Sequence, residues 1–337
     1  MILDPVSSLI LDEAAGLGGP VLVLYDSGGG LVDALAEQGR EVWGYCDDLR
    51  DAAAIDPARR LDSLADPRVD RARVVLLRLG PSLGALEDYA EQLAAAASGP
   101  QHVVAGGRVK HMTPSQNEIL ARSYAEVHAS LGRQKCRVLH ASEPSPGPRR
   151  WPKHRDEPAT GLTVWAHGAV FGGTRLDAGT ALLVQALDRG LTPATPGRRA
   201  LDLGCGSGIL ACWLAERGWD AEASDVSSAA VASTLLTAEA NGVRVEAVQR
   251  DGLDGVPPAS LDLIVTNPPF HVGAAKDSTP TLEMIADARA AIAPGGEFWC
   301  VFNSHLPYLV ALHRDVGPTT IVARDRNYTV TRSVRRP

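Results

Sequence analysis

Short runs of apolar and β-branched residues alternate along the chain with segments whose apolar positions recur every three to four residues. The first pattern is typical of buried strands and the second of amphipathic helices. In the second half, the predicted strands are residues 200–203, 221–225, 243–249, 261–266 and 297–301, and the predicted helices include 209–217, 227–239 and 282–291. Strands that alternate with helices favour an α/β fold with a doubly wound, mostly parallel sheet. Two final runs, 320–324 and 328–333, predict an antiparallel hairpin at its edge, which brings this sheet to seven strands.

The first half of the chain repeats part of this pattern at an offset of 179 residues. Its apolar run, glycine-rich loop and following helical run (21–24, 27–30 and 35–39) align with 201–203, 206–209 and 214–218. If the halves are a duplication, the first copy lacks three polar groups of the second. Val23 stands at Asp202 and Cys46 at Asp225, and further on, where 74–79 parallels 261–266, Gly80 stands at Asn267. We therefore expect two tandem Rossmann-like domains, of which the first has no chemistry of its own.

A proline-rich segment divides the halves. Five prolines fall between residues 144 and 158. Proline lacks the backbone N–H that a helix interior or a central strand requires. The predicted division is a first domain at 1–141, a linker at 142–160 and a second domain at 161–337.

Composition places the chain among globular proteins. Hydrophobic residues make up 45% and charged residues 22% of its 337 residues, which is ordinary for a folded protein. No apolar stretch approaches the roughly 18 residues of a membrane span, and residues 1–5 lack the features of a signal peptide. The five cysteines form no CxxC pair and no Cys/His cluster. We expect a cytoplasmic protein with no disulfide scaffold, no metal site and no membrane contact.

The charge is unevenly distributed. The net charge is −7, yet residues 101–155 carry ten Lys and Arg against three acids, a charge of +7 that falls to +5 when Asp156 and Glu157 are included. The C-terminal region adds five arginines, at 324, 326, 332, 335 and 336. A basic surface could hold a phosphate backbone, and a solvated face plus a linker would give the same composition. Charge alone leaves both interpretations open.

A glycine-rich loop follows the first strand of the second half. Asp202 precedes Gly204, Gly206 and Gly208, so the loop reads GxGxG with an acid two residues before it. Glycines allow a tight turn and a close approach of a ligand to the backbone. A nicotinamide dinucleotide loop would read GxGxxG and hold a phosphate on the helix N-terminus. An acid here would repel a pyrophosphate but suits an ammonium group, such as that of S-adenosylmethionine.

Two further acids lie at the ends of the next strands. Asp225 closes the second strand, where a carboxylate can accept hydrogen bonds from both ribose hydroxyls. Asp251 follows the third strand and is a candidate contact for an adenine amine, although Asp251-Gly252 also suits a simple turn. Cys205 and Cys212 flank the loop without a base partner, and we interpret both as packing residues.

The apolar run 261–266 ends in Asn267-Pro268-Pro269-Phe270. Two prolines force the chain out of the sheet at its carboxyl edge, where ligands bind in open α/β folds. There the Asn267 amide oxygen and the Pro268 carbonyl could accept the two protons of an exocyclic amine, and thereby aim its lone pair at an electrophilic methyl group. Phe270 offers a face on which a splayed-out base can stack. For His271 we favour a loop or substrate-orienting role over proton uptake.

With these motifs the sequence resembles the class I S-adenosylmethionine-dependent methyltransferases of the methyltransferase small domain group. It is most similar to the bacterial ribosomal RNA guanine-N2 methyltransferases with tandem domains. The stretches that carry the resemblance are 171–180 (FGGTRLDAGT), 202–208, 224–227, 240–242, 267–271 (NPPFH) and 303–308 (NSHLPY). The resemblance implies cofactor roles for Asp202, Gly204, Gly206, Gly208 and Asp225, and catalytic roles for residues 267–270.

The resemblance also concerns the first half. In the family, the N-terminal domain has lost its cofactor site, which agrees with a degenerate, RNA-binding or scaffolding copy. Residues 106–111 and 130–135 look more like the large-subunit RNA enzymes than the small-subunit ones. Two departures, the proline-rich linker and Ser304-His305 in place of a larger basic or aromatic pair, bear on the RNA target rather than on the chemistry.

We therefore expect transfer of a methyl group from S-adenosylmethionine to the N2 amine of a guanine in ribosomal RNA, with large-subunit RNA slightly favoured. The RNA or ribosomal subunit would be bound by basic residues of the first half: Arg108, Lys110, Arg133, Lys135 and Arg137. Three alternatives remain. Another planar amine, in a protein glutamine or a DNA adenine, would fit the same Asn-Pro-Pro geometry. A non-catalytic RNA-binding or assembly factor and, more distantly, an NAD-dependent oxidoreductase are the other two.

Overall fold

A computed structural model of the chain describes residues 3–268 and 279–336. The chain divides into two compact units, the first comprising residues 1–153 and 167–169 and the second 154–166 and 170–337. Each contains one large sheet covered by helices on both faces. Among the described helices, none is long and apolar enough to cross a membrane.

The first unit alternates strands and helices through most of its length. Its helices are α1 (Pro5–Ala14), α2 (Gly30–Glu37), α3 (Leu49–Ala52), α4 (Leu83–Ala96) and α5 (Pro114–Leu120), with a 3₁₀ turn at Val109–His111. Its strands are β1 (Val21–Leu24), β2 (Val42–Tyr45), β3 (Val74–Arg78), β4 (His102–Arg108), β5 (Tyr124–Ala129) and β6 (Cys136–Pro144). They form a sheet of order β2-β1-β3-β4-β6-β5 in which only β5 and β6 run antiparallel to their neighbours, as far as the described residues extend.

The second unit begins with a two-stranded hairpin, of which the first residue, Lys153, is counted with the first unit, and continues into the larger sheet. Its strands are β7 (Lys153–Glu157), β8 (Leu162–Ala166), β9 (Arg199–Leu203), β10 (Asp220–Asp225), β11 (Val245–Gln249), β12 (Leu261–Thr266), β13 (Ile292–Asn303), β14 (Thr319–Arg324) and β15 (Tyr328–Val334). Its helices are α6 (Ala178–Gly190), α7 (Ile209–Glu216), α8 (Ser228–Ala240), α9 (Thr279–Ala291) and α10 (Tyr308–Ala311), followed by a π-helical turn at Leu312–Val316.

The larger sheet confirms the predicted fold class. Its order is β11-β10-β9-β12-β13-β15-β14, with the first five strands parallel and β14 and β15 forming the antiparallel edge hairpin. The predicted strands are present with ends shifted by a few residues at most, except that β13 begins at Ile292 rather than at 297. The cause is a register shift after Leu261, where the segment around Gly295 bulges out of the ladder.

The two sheets share one topology. Removing the outer strand β11 from the second order leaves the arrangement of the first. Alternate residues of the parallel strands lie in different apolar clusters, with Ala200 and Val265 on one face and Leu201 and Ile264 on the other. This period-two split is what a sheet covered by helices on both faces requires. The shared order supports the predicted duplication.

The observed boundary between the units differs from the predicted one at residue 141. Three acids of α4 lie at most 9% exposed and bind the segment that follows β6. Glu91 accepts from the backbone N–H of Arg150 (2.9 Å) and Trp151 (3.2 Å), and Glu87 accepts from the Trp151 indole (3.0 Å). Because these contacts attach residues 149–153 to α4, the first unit extends to Lys153. The predicted linker 142–160 therefore includes the end of β6, an anchored segment and β7.

Candidate active site at the carboxyl edge of the second sheet

Three adjacent strands end at one level in the second unit. The parallel register pairs Leu203 of β9 with Ser224 of β10, and Asp202 of β9 with Val265 of β12. Asp225, Gly204 and Asn267 therefore follow at the same height on neighbouring strands, which are spaced about 4.8 Å apart. The structure thus brings together the glycine loop, Asp225, which was predicted to bind the ribose hydroxyls, and Asn267 of the Asn-Pro-Pro motif.

The glycine loop makes the predicted tight turn with its glycines in the left-handed backbone conformation. Gly204, Gly206 and Gly208 have φ of 79°, 54° and 79°. A Cβ atom would find no described atom within 4 Å at Gly204, and at Gly206 only Val170 Cγ1 at 4.0 Å. At Gly208 it would lie 2.8 Å from Thr234 Cα. Gly204 and Gly206 thus leave open space for a ligand, whereas Gly208 allows α7 and α8 to pack closely.

Asp202 is a buried carboxylate with one oxygen in use. It is 1% exposed, and Oδ2 accepts from the Ala211 N–H at 3.0 Å in the first turn of α7. Oδ1 is buried and has no hydrogen-bond partner among the described residues. The pKa of Asp202 is raised to about 7, mainly by burial; the bond from Ala211 N–H opposes this rise and the negative charge of Asp225 adds to it. A buried, unpaired acceptor of this kind is costly unless a ligand binds it.

Asp225 is held by backbone groups on both of its oxygens. Oδ2 accepts from Gly206 N–H and Oδ1 from Ser227 N–H, each at 3.0 Å. The carboxylate thereby ties the end of β10 to the glycine loop and remains half-buried. Asp251 follows β11 and begins a turn in which Asp254 N–H donates to the Asp251 carbonyl at 3.1 Å.

Asn267 is the first residue after β12, and its amide is oriented by three contacts. Nδ2 lies 2.9 Å from Thr180 Oγ1 and 3.1 and 3.2 Å from the two carboxylate oxygens of Asp177. Its Oδ1 is buried and has no partner among the residues that the structure describes. Thr266 anchors the strand end beside it by donating to the Leu203 carbonyl at 2.7 Å. The amide therefore offers an acceptor whose direction is set by its own N–H groups.

The rest of the predicted motif is only partly visible. Pro268 is buried. Pro269, Phe270 and His271 lie outside the described residues.

Asp177 and Thr180 are site residues that the sequence analysis did not single out. Asp177 caps the N-terminus of α6, accepting from the N–H groups of Gly179 and Thr180. Both residues fall in the stretch 171–180 that supports the family resemblance. A sequence signal was present for Asp177, because Asp directly before a helical run is a preferred N-cap residue. That pattern does not reveal that the cap also binds Asn267, which lies 90 and 87 positions away.

The cysteines near the loop behave as packing residues, as predicted. Cys205 and Cys212 belong to the apolar core of the second unit. Burial raises the pKa of both thiols, that of Cys212 to about 12. Neither thiol is therefore ionised near neutral pH.

The basic segment 101–155 is partly neutralised within the first unit. Four of its basic side chains form ion pairs with Glu87 or Asp88, namely Arg122, Arg149, Arg150 and Lys153. Five others lie exposed around the 3₁₀ turn and the β5–β6 connection: Arg108, Lys110, Arg133, Lys135 and Arg137. We call these five the basic tip. Of the five, Arg133 forms an ion pair within the described part of the chain, with Asp12 at 2.9 Å.

The site and the fold can be compared with known proteins. The model of the methyltransferase small domain matches residues 161–332, and the model of the RLMG N-terminal domain matches residues 7–145. The ribosomal RNA large subunit methyltransferase G of Streptomyces coelicolor is 37% identical over 97% of this chain and 91% of its own length. The ribosomal RNA small subunit methyltransferase C of Chromohalobacter salexigens is 44% identical, but over 52% of this chain and 53% of its own length.

A solved structure has a similar fold along nearly the whole chain. The 16S rRNA N2 G1207 methyltransferase of T. thermophilus, in complex with AdoMet and guanosine, superposes with a TM-score of 0.81. It covers 99% of this chain and 92% of that one at 23% identity, which shows a common fold. Since one family model spans half of the chain and the Streptomyces relative nearly all of it, the chain belongs to the methyltransferase small domain family and, over almost its full length, to the ribosomal RNA large subunit methyltransferase G family.

Proposed function

We propose that this protein transfers a methyl group from S-adenosylmethionine to the exocyclic N2 amine of a guanine in ribosomal RNA, with large-subunit RNA as the favoured target. The observation that carries the proposal is the Asn267 amide, whose Nδ2 is fully engaged while its buried Oδ1 is without a described partner. An acceptor held in this way at the carboxyl edge suits a target amine, because the amine can donate an N–H to it.

The glycine loop and its acids fit S-adenosylmethionine. The unpaired Asp202 Oδ1 suits the ammonium of the methionyl group, and the open space above Gly204 and Gly206 suits a ligand lying against the backbone. Asp225 would accept from the ribose hydroxyls, Gly208 would complete the loop, and Asp251 would contact the adenine amine. When bound, the cofactor supplies a methyl group on a positively charged sulfur.

The remaining chemistry is alignment of the target amine. Asn267 Oδ1 would accept one of its protons and the Pro268 carbonyl the other. Both contacts favour a tetrahedral nitrogen whose lone pair is free to attack, and no strong base is obligatory. Pro269 and Phe270 belong to the same proposed motif, in which Phe270 would stack on the unstacked guanine.

The preference for large-subunit RNA rests on how much of this chain the relatives of that name match. The Streptomyces coelicolor and Streptomyces avermitilis relatives, both named large subunit methyltransferase G, match 97% and 95% of it. The basic tip lies in the N-terminal domain, which these relatives also match, and we propose that it binds the RNA backbone. In this proposal the first unit binds RNA and leaves the chemistry to the second.

Removing two charges from the basic tip is expected to weaken RNA binding in a salt-dependent way. Lys110→Ala combined with Lys135→Ala removes two phosphate contacts, so the slope of log affinity against log salt falls by about two. Filter binding of large-subunit ribosomal RNA between low and moderate salt measures this. The matched control, Arg59→Ala with Arg71→Ala, removes equal charge from ion-paired sites elsewhere in the first unit. Equal slopes for the two double variants would reject the basic tip as the RNA-binding surface.

The substrate class is tested with purified protein and S-adenosylmethionine labelled in its methyl group. Unmodified ribosomal RNA, small subunits, large subunits, duplex DNA and a ribosomal protein mixture are offered separately. We expect label in large-subunit RNA or large subunits. Label in protein or DNA alone would replace the proposal by another planar amine, and cofactor binding without transfer to any RNA would also overturn it.

A further inference from the structure

The Asn267 amide contacts two groups that are both hydrogen-bond acceptors toward it. Thr180 Oγ1 donates its hydrogen to Asp177 Oδ2 at 2.5 Å, so the same oxygen is left to accept from Asn267 at 2.9 Å. A carboxylate carries no proton to donate, so the Asp177 oxygens act only as acceptors toward Asn267. Together they accept both protons of the Asn267 NH₂ group.

These contacts fix which end of the amide faces which way. Turning the amide over would place its oxygen against the Asp177 carboxylate and the Thr180 oxygen, where it would meet two acceptors. The cap of α6 therefore holds Oδ1 on the other side of the amide. A carboxylate that accepts from Nδ2 also polarises the amide, which strengthens Oδ1 as an acceptor.

The first unit contains the same device with a different partner. Asp4 caps α1, accepting from Val6 and Ser7 N–H, and Ser7 Oγ donates to Asp4 Oδ2 at 2.8 Å. The pair binds Arg78, the last residue of β3, which corresponds to β12 in the shared strand order. In each unit, an N-cap Asp and a hydroxyl three residues later thus bind the residue at the end of the corresponding strand, β3 or β12. Only in the second unit is the residue held there an amide.

We propose that Asp177 and Thr180 are positioning residues that set the direction of the Asn267 amide and thereby select an amine, rather than a ring carbonyl, as the methyl acceptor. The inference rests on the proposed function for its catalytic consequence, but the orientation of the amide can be measured without any substrate. Guanine presents both groups, N2 as a donor and O6 as an acceptor. A fixed Oδ1 accepts from the first and repels the second.

The kinetic test compares near-isosteric variants. Asp177→Asn keeps an oxygen for the helix cap but removes the charge and can donate toward Asn267, and Thr180→Val removes the hydroxyl. We expect kcat to fall about tenfold to a hundredfold, as for small misplacements of a reacting group, with KM for RNA and cofactor affinity changed little. Thr180→Ser restores the hydroxyl and is expected to recover most of the activity. Asp4→Asn makes the same capping change in the first unit and controls for loss of helix stability.

A second test measures the NMR signals of the Asn267 side chain and does not require methyl-transfer activity. The chain has five asparagines, Asn117, Asn241, Asn267, Asn303 and Asn327, so selective ¹⁵N labelling gives few side-chain amide signals. We expect the Asn267 NH₂ signals to shift in Asp177→Asn and Thr180→Val, and to stay unchanged in Asp4→Asn. Unchanged Asn267 signals, or a kcat loss that Asp4→Asn reproduces, would overturn the positioning role. Shifted signals in a protein that methylates no RNA would support the positioning and reject the proposed function.

Discussion

Asn267→Ala is expected to reduce methyl transfer about a hundred- to thousandfold, the range seen when one aligned hydrogen-bonding group is removed from a reacting centre. The variant lacks the amide whose Oδ1 would accept from the target amine, so the nitrogen lone pair is no longer aimed. Cofactor affinity should stay within about threefold of the native protein, because Asn267 does not bind the cofactor in this proposal. Single-turnover transfer of labelled methyl groups and calorimetric titration of the cofactor measure the two quantities.

Asn327→Ala serves as the matched control. It removes the same amide from an exposed position in the turn between β14 and β15. Native activity in Asn327→Ala alongside the large loss in Asn267→Ala supports the proposed role. Retention of a tenth or more of the native rate by Asn267→Ala would exclude the amide as the aligning group.

Asp202→Asn is expected to weaken cofactor binding about a hundredfold, since truncating one partner of a buried charge pair costs roughly 2–5 kcal/mol. The substitution retains an oxygen for Ala211 N–H but removes the charge that would meet the ammonium. Calorimetric titration at pH 7.5 measures the change. An affinity within a factor of three of native would contradict the assignment of Asp202 to the ammonium.

The raised pKa of Asp202 also predicts how the cofactor affinity of the native protein depends on pH. The pKa of Asp202 is raised to about 7 by burial, so the group is protonated at pH 5.5 and largely ionised at pH 8. Only the ionised form can pair with an ammonium, so affinity should rise between pH 5.5 and 7.5, by up to tenfold per pH unit below the pKa. A flat profile for the native protein, or an equal rise in Asp202→Asn, would contradict this origin.

Stability of the cofactor-free protein should show the opposite trend. The folded-state pKa of Asp202 exceeds its ordinary value of 3.8, so the folded state binds the proton more tightly than the unfolded state. The contribution of Asp202 to the free energy of unfolding therefore declines as the pH rises from about 4 to about 7. Asp202→Asn removes this penalty and should stabilise the free protein by roughly 1–3 kcal/mol at pH 8 and by almost nothing at pH 4. Denaturant unfolding at both pH values measures the difference.

The positions of the main site residues could be predicted because they stand at the carboxyl ends of strands: Asp202 is the last residue but one of β9, Asp225 the last of β10 and Asn267 the first after β12. Asp202, Asp225 and Asn267 each stand at or directly after an apolar run, and parallel strands of a doubly wound sheet end at a common edge. The position of each residue relative to the end of its run was therefore sufficient to predict that the three lie close together. The fold class followed from the same alternation of strand and helix patterns.

The contacts between distant segments could not be predicted in this way. That Asp177 binds Asn267 depends on where α6 lies against β12, which local sequence patterns do not specify. The role of Gly208 in packing against Thr234 is hidden for the same reason. Likewise, counting charges in 101–155 could not show that Arg149 and Arg150 are paired with acids of α4.

In the proposed reaction the amine held at Asn267 is N2 of guanine, and the chemical identity of the methylated nucleoside tests this assignment. Large-subunit ribosomal RNA methylated by the purified protein is digested to nucleosides and analysed by mass spectrometry against synthetic standards. We expect N2-methylguanosine as the labelled product, absent from the Asn267→Ala reaction. A methyl group found on a ring nitrogen, a ribose hydroxyl or an adenine would contradict the proposal.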